Sequence, residues 1–191
     1  MYAPSEDTFL LADWIEHYNG RRALEIGVGS GLLLAMLAKN YAYVVGSDID
    51  LKVLQHCRLQ TPSEKVLLVC CDAGSAFGSG KFDLIVSNPP YLPNDDGGNN
   101  NNNNNNIDNS NNNSSLDHNI YGGPKGIETT IHFVKSALPL LAVDGKILIV
   151  ISSFADSSAL DRLVVENNMH KKVVKEKRLF YETLSIVELS F

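Results

Sequence analysis

Short unbroken apolar runs alternate along the chain with stripes spaced three and four residues apart, a pattern that predicts strands alternating with helices. Leu11, Trp14, Ile15 and Tyr18 fall at i, i+3, i+4 and i+7. They define a first helix capped by Ser5, with Glu6 and Asp7 against its positive end and Asn19-Gly20 closing it. Residues 23–26 read as a short buried strand, and Leu33, Leu34 and Leu37 form the inner face of the next helix. A second strand over 43–46 ends at Ser47-Asp48, before a helix through Val53 and Leu54. Residues 65–71 and 82–86 give a third and a fourth strand, apolar enough to be covered on both faces. Residues 128–141 predict a helix whose last turn Pro139 bends or frays. Asp144-Gly145 then turns the chain into a fifth strand, 146–151. A helix around Leu160, Leu163 and Val164 precedes two final strands, near 172–177 and 183–189, expected as an antiparallel hairpin. The expected fold is α/β, a seven-stranded, mostly parallel sheet with helices on both faces.

A chain of 191 residues suits a single domain, here 1–191. Residues 97–115 stand apart. They include eight consecutive asparagines, 99–106, and such a composition buries too little apolar surface to offset the entropy of ordering it. A mobile surface insertion, not a second domain, is expected there. No apolar run is long enough to span a bilayer, and the N-terminus lacks a signal-peptide pattern, so the expected location is the cytosol. The net charge of -6 argues against unaided binding of duplex nucleic acid. The one dense basic cluster, Lys171, Lys172, Lys175, Lys177 and Arg178, reads as a solvated strand face. Cys57, Cys70 and Cys71 are expected as buried, reduced thiols, and the five histidines have no ligand spacing, so no metal is assigned.

Candidate chemistry enters where strands end. Glu25-Ile26-Gly27-Val28-Gly29-Ser30-Gly31 follows a strand and opens a helix, where Gly27, Gly29 and Gly31 allow close approach of a ligand to backbone. The spacing is too short for a dinucleotide loop, and Glu25 would repel a pyrophosphate. A carboxylate there suits a cofactor carrying ammonium and sulfonium charges. Asp48, at the end of the second strand, can accept both hydroxyls of a ribose. Asp72, at the end of the third, can accept an adenine amine, with the Ala73 N–H donating to a ring nitrogen.

Asn88-Pro89-Pro90-Tyr91 indicates the reaction class. Consecutive prolines fix two φ angles and set the direction of neighbouring groups. The Asn88 side-chain oxygen and the Pro89 carbonyl can together accept both hydrogens of an NH₂ group, turning its lone pair toward a sulfonium methyl. Tyr91 offers a face for a planar amide or base. Catalysis of this kind is alignment and electrostatic preorganisation, with the proton leaving after attack.

The combination resembles class I S-adenosylmethionine methyltransferases of the amino group, with a Rossmann-like sheet. More narrowly it is similar to the HemK/PrmC release-factor glutamine methyltransferases in their short archaeal and eukaryotic form. The opening Tyr2-Ala3-Pro4-Ser5-Glu6-Asp7-Thr8-Phe9 resembles that family's start, which closes over the cofactor, and this implies contacts from Glu6 and Thr8. Glu182-Thr183-Leu184-Ser185-Ile186-Val187 resembles its last strand, and Tyr121-Gly122-Gly123-Pro124-Lys125-Gly126 a segment that usually carries Trp at the first position. The resemblance implies S-adenosylmethionine as cofactor and the glutamine of a Gly-Gly-Gln motif in a class I termination factor as acceptor. It also implies a small zinc-binding activator subunit over an apolar flank. Adenine-N6 methylation of DNA or RNA is the alternative, with lysine methylation as a side activity. A catalytically silent binding partner and an NAD-dependent oxidoreductase fit the motif less well.

Overall fold

The structure, a computed structural model, describes residues 4–61, 63–93 and 122–191. The Asn-rich stretch and Tyr121 lie outside the described residues. In chain order the elements are α1 (Glu6–Ile15), β1 (Gly20–Ile26), α2 (Leu32–Asn40), β2 (Tyr41–Asp48), α3 (Leu51–Gln60), β3 (Val66–Cys70) and β4 (Phe82–Ser87). Beyond the loop come α4 (Glu128–Ala137), a 3₁₀ turn (Leu138–Leu140), β5 (Leu141–Ser152), α5 (Ser158–Glu166), β6 (His170–Arg178) and β7 (Thr183–Ser190).

The seven strands form one sheet in the order β3-β2-β1-β4-β5-β7-β6. The first five run parallel, and β7 lies antiparallel to both β5 and β6, so the C-terminal hairpin is as expected. Alternate residues of the central strands feed two apolar layers. Ala23, Val44, Leu84 and Leu148 pack with Leu11, Leu34 and Leu54 of α1, α2 and α3. Leu24, Ile85, Ile147 and Ile149 pack with Val134 of α4 and Leu160 of α5. Helices thus cover both faces, which explains why β4 and the second half of β5 read as continuous apolar runs.

Several boundaries differ from the sequence pattern. Gly20 opens β1 instead of merely closing α1, which stops at Ile15. β5 starts at Leu141, five residues before the expected strand. Asp144, at φ 62°, sits inside it as an irregularity between the pairs Phe82–Leu141 and Leu84–Lys146. Pro139 does end the regular turns of α4, converting the last one to 3₁₀ geometry. β3 departs most: it is an edge strand, and Leu67 is 60% exposed. The connection from β3 to β4 forms no helix, so the sheet face under Tyr43 and Leu67 has no cover among the described residues. Cys57 is buried, but Cys70 is exposed at the end of this strand, against expectation. The basic strand β6 is the solvated edge that its composition suggests.

Candidate active site

Strand order reverses between β1 and β4, and at such a switch point the loops leaving the carboxyl ends part to form a crevice. A cavity of about 520 Å³ opens there. Gly27 and Gly29 line it, in a loop held over β2 by the Gly27 N–H donating to the Ser47 carbonyl at 2.8 Å. Gly31 does not line the cavity, contrary to the sequence reading. It caps α2 with φ at 80°, and a Cβ there would lie 3.0 Å from Cys57 Sγ, so its role is to turn and pack the helix start.

The strand-end acids converge. Glu25 is buried in the cavity wall with Oε2 lacking a partner among the described residues. Burial, reinforced by the nearby Asp48 carboxylate, holds its carboxyl well above the ordinary range. Burial also raises Asp48, opposed by backbone N–H groups of Asp50 at 2.9 Å and Gly29 at 3.4 Å. Asp72 lines the outer end, where Oδ1 meets His132 Nε2 of α4 at 2.7 Å. Ala73 is buried beside it in left-handed backbone, φ 46°.

At the end of β4, Asn88, Pro89, Pro90 and Tyr91 all line the same cavity. Asn88 donates from Nδ2 to Thr8 Oγ1 at 3.1 Å, while its Oδ1 is buried without a partner among the described residues. Tyr91 donates its hydroxyl to Asp7 Oδ2 at 3.2 Å. Ser87 Oγ donates to the Ile26 carbonyl at 2.9 Å, tying the motif's strand to the glycine loop. The segment around Gly122–Gly126 presses on the motif from outside: Gly122 N–H donates to the Leu92 carbonyl at 2.9 Å.

Thr8 lines the cavity, but Glu6 does not. It is exposed and pairs with Lys177 of β6, and the adjacent Asp7, 3% exposed, takes the inner position. The signal for this lay in the helical spacing, because Asp7 shares a stripe with Leu11 and Ile15 while Glu6 does not. Ile49, Phe133 and Glu182 also line the cavity without having been singled out as ligand contacts. Ile49 follows Asp48 directly, which was a usable signal. Phe133 and His132 are placed by the path of α4, which spacing along the chain does not reveal.

Residues 24–89 match the methyltransferase domain family. The chain is 35% identical over 95 residues to a Methanocaldococcus jannaschii protein named as a protein N5-glutamine methyltransferase, a match covering 49% of this chain and 48% of that one. It is 32% identical over 98 residues to a tRNA1(Val) (adenine(37)-N6)-methyltransferase of Shewanella halifaxensis, covering 47% and 40%. The chain therefore spans about half or less of the length of these relatives. Among solved structures, it superposes on a chain of the E. cuniculi Mtq2–Trm112 complex, responsible for methylating the eRF1 translation termination factor, with TM-score 0.73 and 22% identity over 98% of this chain and 96% of that one.

A methyltransferase domain of this fold implies S-adenosylmethionine as methyl donor. The residues fit such a ligand. Buried Glu25 Oε2, unpartnered among the described residues, suits its positive charges, Asp48 its ribose hydroxyls, and Asp72 with Ala73 its adenine edge, with Ile49 and Phe133 as apolar walls. The chain has the fold of the Rossmann-like class I methyltransferases, and most of the residues lining this cavity lie in its methyltransferase-domain segment.

Proposed function

We propose that the chain transfers a methyl group from S-adenosylmethionine to the side-chain amide nitrogen of a glutamine, that of a Gly-Gly-Gln segment in a class I translation termination factor in the cytosol. The observation that carries this reading is the buried Oδ1 of Asn88, unpartnered among the described residues, beside Pro89 and Tyr91 in one cavity with Glu25 and Asp48. A buried acceptor with no donor costs stability, so a site that keeps one is built to receive a donor.

When bound, the cofactor supplies an electrophilic methyl group. Everything else falls to the chain. Asn88 Oδ1 and the Pro89 carbonyl accept the two hydrogens of a primary amide, which fixes the nitrogen's orientation and gathers charge as it becomes cationic. Tyr91, held by Asp7, offers a flat wall to the amide. Loss of one proton to solvent completes the transfer, so no general base is needed before attack.

Two relationships support the acceptor: the likeness to a relative named for N5-glutamine methylation, and the full-length superposition on a protein whose complex methylates a termination factor. The same oxygens could hold an adenine amine, and the likeness to the tRNA adenine methyltransferases favours that second reading. Net charge -6 weighs against a polyphosphate substrate. A small activator subunit, zinc-binding as the resemblance implies, would cover the open sheet face under Tyr43 and Leu67.

Labelled S-adenosylmethionine offered with a termination factor, its Gln-to-Ala variant, a tRNA and a DNA duplex separates the readings. Label on the parent factor alone supports glutamine. Label on nucleic acid, with none on the factor, overturns it.

A further inference from the structure

The side-chain amide of Asn88 can stand in its site two ways, exchanging oxygen for NH₂, and the choice decides whether the cavity receives an acceptor or a donor. Hydrogen accounting at Thr8 favours one of them. The Thr8 backbone N–H lies 2.6 Å from Asp7 Oδ1, and a main-chain N–H only donates, so that carboxylate oxygen accepts. The Thr8 hydroxyl lies 3.2 Å from the same oxygen and spends its single hydrogen there. It is left with lone pairs alone, so the Asn88 atom 3.1 Å from it must be the donor Nδ2. Oδ1 is thereby turned away from Thr8 in the cavity wall. Asp7 and Thr8 are 3% and 5% exposed, so water competes little for these bonds. Asp7 Oδ2 meanwhile accepts from Tyr91, so one carboxylate sets both the polarity of Asn88 and the position of the aromatic wall.

We propose that Asp7 and Thr8 are positioning residues that fix the hydrogen-bond polarity of the site. The sequence carboxylate, hydroxyl, amide makes Asn88 an acceptor and so selects a substrate that presents NH₂ over one of the same shape that presents only oxygen. The inference rests on the reading of Asn88 as the substrate-facing group.

The test uses the full chain with Thr8→Val, which keeps shape but removes the hydroxyl, and Thr8→Ser, which restores it. The ¹⁵N–¹H signals of the Asn88 side chain, assigned by their loss in Asn88→Ala, report the polarity without any turnover. Their hydrogen exchange is expected to be slow in the parent, roughly tenfold or more faster in Thr8→Val, and slow again in Thr8→Ser. Glutamine transfer should fall roughly ten- to hundredfold in Thr8→Val, well beyond any loss of affinity for S-adenosylhomocysteine, with most of the fall recovered in Thr8→Ser. Unprotected Asn88 signals in the parent overturn the inference, as do signals that ignore Thr8→Val. So does cofactor affinity falling in step with turnover, which would make Thr8 a cofactor contact. Protected signals in a parent that methylates no glutamine would sink the proposed substrate and leave the polarity relay standing.

Discussion

Glu25 carries an unusual load for a single side chain, a buried carboxyl facing a second acid. In the unfolded chain its proton leaves in the ordinary glutamate range, about pH 4.3. In the folded, ligand-free protein burial holds the proton to a higher pH. Above the ordinary range the unfolded state therefore binds fewer protons, and stability falls as pH rises toward the folded-state value. Glu25→Gln should remove that slope and raise the melting temperature of the ligand-free protein by a few degrees near neutrality. The same change should weaken S-adenosylhomocysteine binding by roughly tenfold, seen by calorimetry. Asn88→Ala should behave oppositely, abolishing transfer with cofactor affinity nearly intact; an active Asn88→Ala would remove the proposed acceptor role. Glu25, Asp48 and Asp72 were legible from sequence because each ends or follows a parallel strand, and strand ends meet in the crevice of an α/β sheet. Glu6 was misjudged for Asp7 because adjacency in sequence is not adjacency on a helix, where one residue turns the side chain by about 100°.

Among the elements, strands buried on both faces were the easiest to read, since β1, β2 and β4 need apolar residues throughout the stretches that face two layers. β5 was not, because its first half runs through Asp144 and Gly145, which look like a turn. A turn-like pair can sit within a strand when the partner strand tolerates extra residues, as between Phe82 and Leu84. That β3 has one face without cover among the described residues was also hidden, because an apolar run does not announce that its crossover lacks a helix. The loop before α4 shows what a glycine can do for a neighbouring motif. Gly126 has φ at 71°, and a Cβ there would stand 2.2 Å from the Tyr91 carbonyl oxygen. Gly126→Ala should cost about 1–3 kcal/mol in denaturant unfolding and displace the motif enough to lower turnover. Unchanged stability and turnover together would show that the loop yields without consequence.

At the scale of the whole molecule, the sheet face beside β3, without cover among the described residues, is where the proposed partner subunit would dock. Leu67→Glu should abolish co-purification with a small activator subunit while leaving the melting temperature of the isolated chain nearly unchanged, because Leu67 is already exposed. Retained co-purification would place the partner elsewhere. Deleting residues 99–113 should preserve soluble protein and cofactor binding, which circular dichroism and calorimetry can check; loss of soluble protein would give the asparagine tract a structural role. The paired acids at the ends of β1 and β2 also tie this fold to its chemical surroundings. Glu25 and Asp48 repel each other across the hollow, so a ligand that brings positive charge between them adds its binding free energy to that of folding. At one hundred times its dissociation constant the gain is about 2.7 kcal/mol, a sizeable part of the margin that keeps a domain from unfolding. Methyl-donor supply would then govern how many copies survive proteolysis, as well as how fast each copy works.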